Sequence, residues 1–171
     1  MANQTKSGWY LQPLKDVLIQ TAYTGGNINL TLATYKICLA TNTGTDGSAP
    51  LNFSTTTAKY GDIGALEVSG TGWASGGVLL SAAAAGSTSV VPTFAEGTTG
   101  SLRWNWTNPL SVASTTLANV YGCWIYADPV SAPNVKPLLI YINFGSLYST
   151  TNGTFGITPS GTGLSEIDVT P

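Results

Sequence analysis

Apolar residues recur along most of this chain in short runs, separated by clusters of glycine, proline, asparagine and serine. Alternation of apolar and polar residues predicts a strand with one buried face, and a continuous apolar run predicts a strand buried on both faces. Alternation is clearest where Leu102, Trp104 and Trp106 share one face of a predicted strand. The predicted strands are 35–40, 67–69, 77–80, 89–94, 101–107, 122–127, 137–144 and 154–157.

The run 137–144 has the strongest strand pattern in the chain and is typical of a central strand that is covered on both sides. The Asn152-Gly153 pair predicts a hairpin turn that leads into the strand 154–157. The apolar residues expected to share one face of the central strand are Leu138, Ile140, Ile142 and Phe144.

Helical spacing occurs near the N-terminus, where Pro13 suits a first helical turn and the Gly25-Gly26 pair suits a stop. With this one short helix, the pattern predicts an all-β fold, an antiparallel β-sandwich or jelly-roll-like structure. We expect a single domain over residues 1–171, with an N-terminal arm over about 1–12 and a polar tail over about 159–171. The apolar residues of the predicted helix are Leu14, Val17, Leu18 and Ala22.

Charge is scarce: the chain has eight acidic and six basic residues, no histidine, and 8% charged residues against about 25% in ordinary soluble domains. Catalysis that depends on histidine is excluded, and no basic stripe indicates a nucleic-acid partner. No apolar run is long enough to span a bilayer, and no signal segment precedes the fold, so we expect synthesis in a cytosol. Such a composition favours a surface that packs against other surfaces over a site that does chemistry.

Few groups remain that could do chemistry. Asp62 and Glu67 flank a glycine-rich stretch and could form an acidic pair. Turn capping by Asp62 and a cross-strand or interface ion pair of Glu67 explain them better, so we expect no enzyme and no cofactor. Zinc binding is not expected, because Cys38 and Cys123 are far apart in sequence. Both cysteines lie in apolar runs and are expected to be buried thiols, with a disulfide as the alternative.

Aromatic residues offer two kinds of surface. Trp9, Tyr10 and Leu11 lie on the polar arm, where they have little expected shelter, and we interpret them as anchors that dock into a partner. Trp73 is a fourth candidate interface residue, and Trp73 or Tyr148 could instead be the exposed platform of a carbohydrate-binding module. Core packing is the better interpretation of Trp104, Trp106 and Trp124.

An ordered series of blocks resembles small virion structural proteins of tailed bacteriophages. The first block is a segment of the type EVSGTG, followed by an aromatic residue, two glycines and an apolar strand. Tryptophan-rich, apolar and Asn-Gly segments come after it. Asn143 departs from the resemblance, since an aspartate is more usual there. The resemblance covers most of residues 14–158. Its matching blocks are 67–78, 104–108, 124–128, 136–145 and 149–157.

The resemblance implies a structural protein of the virion, assembled in the host cytoplasm. A capsid decoration (cement) protein is the expected role, with the major capsid protein and copies of itself as partners, a trimer being favoured. A tail or baseplate component is the alternative that stays open. No catalytic residue is implied by the resemblance.

Overall fold

The computed structural model describes residues 4–32, 34–54, 58–80, 90–97, 100–106, 109–132, 134–160 and 164–168. Expectations for residues 1–3, Ser89, Thr107 and the tail residues 161–163 and 169–171 fall outside these ranges. The described residues form helix α1 (Leu11–Ile19), two 3₁₀ turns (Tyr60–Asp62 and Gly64–Leu66) and nine strands. The strands are β1 (Gly8–Trp9), β2 (Lys36–Ala40), β3 (Glu67–Val68), β4 (Val78–Leu79), β5 (Thr93–Glu96), β6 (Ser101–Asn105), β7 (Leu110–Tyr126), β8 (Leu138–Ile157) and β9 (Ser165–Asp168).

Two antiparallel sheets carry the fold, so the predicted all-β class with one short helix is confirmed. In the described ranges the larger sheet has the order β1-β8-β7-β2-β3, and β4 pairs with β2 beside β3. The smaller sheet has the order β5-β6-β9. Most of the strand cores predicted from sequence lie within these strands.

Strands β7 and β8 are much longer than the sequence pattern indicated. The predicted hairpin at Asn152-Gly153 is wrong, because β8 runs straight through this pair. Asn152 has a φ of 49°, and the register shifts between the pairs Thr115–Gly153 and Leu117–Thr150. The left-handed conformation that Asn favours is therefore used in a bulge instead of a turn.

A second irregularity corrects the predicted face of the central strand. Ile125 pairs with Ile140 and Tyr126 pairs with Leu138, so one extra β8 residue, Leu139, lies between these pairs. The extra residue reverses the alternation of side chains. Leu138 consequently packs on one face of the sheet, whereas Ile140 and Leu139 contribute to the core on the other face.

The larger sheet is covered on both faces. One core cluster lies between the sheets and joins Ile37, Leu39 and Ile125 to Trp104 of the smaller sheet. The second cluster lies on the opposite face, under Tyr10 and the segment around the 3₁₀ turns. Its buried members are Tyr10, Cys38, Ala40, Leu51, Ala58, Ile63, Trp124, Tyr126, Leu138 and Tyr141.

The predicted polar tail is in part a strand. Residues Ser165–Asp168 form β9, which pairs with β6 through Ser101–Asp168 and Trp104–Ser165. The sequence pattern missed β9 because its short run alternates acidic and neutral residues and has little apolar content. This part of the tail is therefore used within the chain's own small sheet.

Candidate functional site

The N-terminal segment was expected to be an unsheltered arm, and from Gln4 onward this expectation is wrong. Gln4 is buried, its side-chain oxygen accepts a hydrogen bond from Tyr141 at 2.9 Å, and its backbone oxygen accepts one from Asn143 at 2.6 Å. Gly8 and Trp9 then pair with Tyr141 and Ile140 as strand β1. The segment thus completes the edge of the larger sheet.

Tyr10 is a core residue and not a docking anchor. Its side chain is fully buried, and its hydroxyl donates to the backbone oxygen of Pro50 and accepts from Trp124 Nε1 at 3.1 Å. Phe53 packs edge-on against its ring at 5.2 Å. Burial raises the pKa of the Tyr10 hydroxyl. A partner could reach this side chain only by unfolding the segment.

Trp9 and Trp73 are also engaged within the chain. The Trp9 ring lies 5.0 Å from the Trp104 ring, and its Nε1 donates to Ser165 Oγ at 2.7 Å. Trp73 is fully buried with its ring 5.7 Å from that of Phe155. Neither a partner nor a sugar can stack on a buried Trp73, so the predicted interface and platform roles of this residue are wrong.

Leu11 is the predicted anchor that remains exposed, and helix α1 explains why. The helix turns Pro13 and Asp16 inward, and Leu11 and Leu18 project from the opposite face with exposures of 61% and 75%. Ile19, at the end of the helix, is 62% exposed. Leu11, Leu18 and Ile19 are left uncovered by this chain and are called here the apolar helix surface; the exposed Lys15 lies among them.

Asp16 sets this orientation of the helix. Its carboxylate accepts hydrogen bonds from Gln12 Nε2 at 2.9 Å, Thr21 Oγ1 at 2.8 Å and Tyr23 OH at 2.5 Å. A buried carboxylate is tolerated when its oxygens are satisfied in this way. Because these donors hold Asp16 inward, the leucines a half-turn away must face outward.

The carboxylates singled out from sequence have local partners. Asp62 Oδ2 accepts from the backbone N–H of Lys59 at 3.0 Å, at the start of the first 3₁₀ turn. Glu67 accepts from Tyr60 OH at 2.8 Å, Ser75 Oγ at 2.9 Å and Gly76 N at 2.8 Å. Asp62 caps a turn as expected, and Glu67 holds the 75–76 loop by hydrogen bonds.

A charged cluster lies just beyond the end of β7. Asp128 lies 2.8 Å from the Lys136 ammonium and 3.3 Å from that of Lys36. Partial burial acts to raise the pKa of Asp128, but the two lysines outweigh it and hold this pKa below its usual value. Through these two ion pairs, Asp128 connects the end of β7 to β2 and to the loop that leads to β8.

Both cysteines are buried free thiols, as predicted. Cys38 and Cys123 lie on adjacent strands but face opposite sides of the larger sheet, so their sulfurs cannot meet. Burial raises the pKa of each thiol, which keeps both in the unreactive protonated form.

A second uncovered surface lies along β8, and only one of its residues, Tyr148, is named from the sequence as a possible exposed platform. Leu147 and Tyr148 are 49% and 48% exposed. Beside them is an open cleft of about 330 Å³. The cleft is lined by Phe144, Tyr148, Phe155, Gly156, Ile157 and Thr158. The sequence does contain an indication of this surface, because no charged residue occurs between Lys136 and Glu166.

Across the residues that the structure describes, no group of three His, Cys, Asp or Glu side chains is placed to share a metal ion. No described helix has the length and apolar character needed to cross a membrane.

The chain matches no protein-family model, no curated protein and no solved structure. The likeness to phage virion proteins therefore stays a prediction from the sequence blocks. What bears on function is the surface itself, in which charge is sparse and two apolar regions are open.

Proposed function

We propose that this protein is a structural component of a bacteriophage particle, a decoration protein that binds the assembled head shell and stabilises it. The observation that carries the proposal is the apolar helix surface of Leu11, Leu18 and Ile19 beside the two sheets. Three large apolar side chains on one short helix are costly to leave in water, and contact with a partner recovers that free energy. The resemblance of the sequence blocks to virion proteins supports the same role.

Binding to the assembled shell would stabilise it by mass action. A ligand that binds the shell but not its separate subunits shifts the equilibrium toward the shell. Low charge suits this role because charged groups are depleted in the cores of interfaces, where their desolvation is unfavourable. The protein would occupy the outside of the head in many copies and do no chemistry there.

The test is binding of purified protein to empty heads that lack it, with bound protein quantified after sedimentation. Changing Leu18→Gln and Ile19→Gln together is expected to weaken binding at least tenfold, since each apolar side chain is worth about 1.5–3 kcal/mol when fully buried. The matched control is Val135→Gln, an exposed apolar residue outside the helix. Equal binding by wild type and the helix variant would remove the helix surface from the proposal.

Cryo-electron microscopy of whole particles separates the head role from the alternative of a tail or baseplate component. A decoration protein appears as repeated density over the head, and a tail component appears only on the tail. The expected trimer stays a prediction, which sedimentation equilibrium of the purified protein tests.

A further inference from the structure

The cleft beside β8 is walled by three aromatic side chains. Phe155 is 7% exposed and forms the buried base of the cleft, and the rings of Phe144 and Phe155 are 6.4 Å apart. The Tyr148 ring stands nearly perpendicular to the Phe144 ring, with 6.1 Å between the ring centres, and Tyr148 is 48% exposed. The cleft therefore has an aromatic base and an aromatic side wall that solvent reaches.

Curvature of strands β7 and β8 creates this cleft. In a regular strand, the step from Phe144 to Phe155 would span about 36 Å, at about 3.3 Å per residue. Their rings are only 6.4 Å apart, so β8 is continuous but strongly curved between them. Bulges bend strands in this way, and four residues with positive φ interrupt the two strands. These residues are Ser114, Asn119, Gly145 and Asn152.

The cleft also carries hydroxyl groups and no charge. Tyr148 and Thr158 line it, and neither hydroxyl makes a hydrogen bond to another residue in the described part of the chain. No charged residue occurs in 104–127 or 137–165, so β7 and β8 are uncharged throughout. A ligand in the cleft would therefore meet aromatic surface and unpaired hydroxyls, but no opposite charge from these strands.

These properties select the class of ligand. A charged ligand would lose hydration without gaining a counter-charge, which is unfavourable. A purely apolar ligand would cover the Tyr148 and Thr158 hydroxyls without giving them hydrogen-bond partners. A neutral sugar avoids both costs, because it offers hydroxyls and also a face of C–H groups that packs against the electron-rich face of an aromatic ring. The volume of about 330 Å³ is at the small end for ligand sites and suits one sugar ring.

We propose that this cleft binds a single neutral sugar ring, with Tyr148 stacked on the C–H face of the sugar. The hydroxyls of Tyr148 and Thr158 then pair with hydroxyls of the sugar. A terminal sugar of a polysaccharide and one of a glycoprotein share this chemistry. The site uses no residue of the apolar helix surface and does not rest on the decoration role. On a head covered by many copies, even a weak site would attach the particle to glycans, since linked sites bind with avidity.

Nuclear magnetic resonance of the purified protein tests the site. Methyl glycosides of glucose, galactose, mannose and N-acetylglucosamine are titrated into ¹⁵N-labelled protein, and the amide signals of Tyr148, Gly156 and Thr158 are followed. We expect at least one glycoside to shift these signals with a Kd on the order of 1 mM, as suits one ring in an open site. The methyl glycoside of sialic acid, which is anionic, should bind more weakly, because no cation is present among the described lining residues.

Two substitutions separate stacking from hydrogen bonding. Tyr148→Ala removes the stacking ring and should weaken binding of the best glycoside by about tenfold or more. Tyr148→Phe keeps the ring and removes one hydroxyl, so a loss of about two- to tenfold is expected. The matched control is Leu147→Ala, because Leu147 is 49% exposed but lies outside the lining of the cleft, and its loss should leave the affinity unchanged. A dispersed amide spectrum shows that each variant is folded.

The proposal is overturned if none of the four glycosides shifts the three amide signals, or if Leu147→Ala weakens binding as much as Tyr148→Ala. Cyclohexanol, a six-membered ring with one hydroxyl, is the comparison ligand: binding as tight as that of the best glycoside would make the cleft an apolar socket. Equal binding of the sialic acid glycoside would contradict the neutral class.

A final comparison identifies the source of the sugar. Retention of the protein on an insoluble polysaccharide of the bound sugar is measured against retention on beads of a glycoprotein with the same terminal sugar. Binding to either supports the site, and binding to neither contradicts it. All of these experiments use purified protein without heads, so their failure is distinct from failure to bind a shell.

Discussion

Tyr10 shows how far the role of one side chain depends on what surrounds it. In the sequence it follows a polar segment, so it resembles an exposed aromatic anchor. In the fold its ring is enclosed by the second core cluster, and its hydroxyl bridges Pro50 and Trp124. Deleting residues 1–10 would therefore remove part of the core, and would not test docking to a partner.

The Tyr10→Phe substitution isolates this bridge. It leaves the ring in place but removes a buried donor to Pro50 and a buried acceptor for Trp124, so the free energy of unfolding should fall by about 1–3 kcal/mol. Urea denaturation followed by tryptophan fluorescence measures the change. Tyr148→Phe, at a half-exposed position, is the control and should change stability by less than about 0.5 kcal/mol. Equal effects of the two substitutions would contradict the bridge.

At the scale of the elements, the pairing of β7 with β8 depends on a glycine. Gly122 pairs with Asn143 on β8 and with Ala40 on β2. A Cβ atom at Gly122 would lie 2.5 Å from the backbone oxygen of Ile142 and 2.5 Å from the Tyr141 hydroxyl. The absence of a side chain lets the Tyr141 ring lie across the strand at this point.

Gly122→Ala should therefore destabilise the protein by about 1–3 kcal/mol, the usual cost of an extra methyl group in a filled core. Thermal unfolding monitored by circular dichroism measures the loss. Gly61→Ala is the control, because a Cβ there meets no atom within 4 Å. If Gly122→Ala unfolds at the wild-type temperature, the close approach of Tyr141 is not a constraint on this strand.

At the scale of the whole molecule, the larger sheet separates two core layers, and one thiol reports on each. Cys123 belongs to the cluster between the sheets, and Cys38 belongs to the cluster under Tyr10. Because both side chains are fully buried, a thiol reagent can reach either one only when its layer opens.

Labelling of single-cysteine variants then tests whether the two layers open together. In Cys38→Ala and in Cys123→Ala we expect the remaining thiol to react at one common slow rate, set by global unfolding, and to react at once in denaturant. Mass spectrometry over time follows the labelling. Fast reaction of Cys38 alone would show that the layer under Tyr10 opens separately, in conflict with a single cooperative unit.

The sequence by itself determined the features that depend on local pattern and composition. Strand cores such as 36–40 and 122–126, the single helix and the buried thiols follow from apolar runs and turn residues, because these act over a few neighbouring positions. The scarcity of charge is likewise a property of the composition alone, and it favours a role in surface contact over catalysis.

Only the tertiary structure decided which surfaces are open. The outward face of α1 depends on donors to Asp16 that come from beyond the helix as well as from within it, and the burial of Tyr10 depends on Pro50 and Trp124. The open edge of β8 exists because β1 ends after two residues. The burial of Tyr10 and the edge of β8 are set by contacts between distant parts of the chain, and a local pattern carries no information about which distant residues will meet.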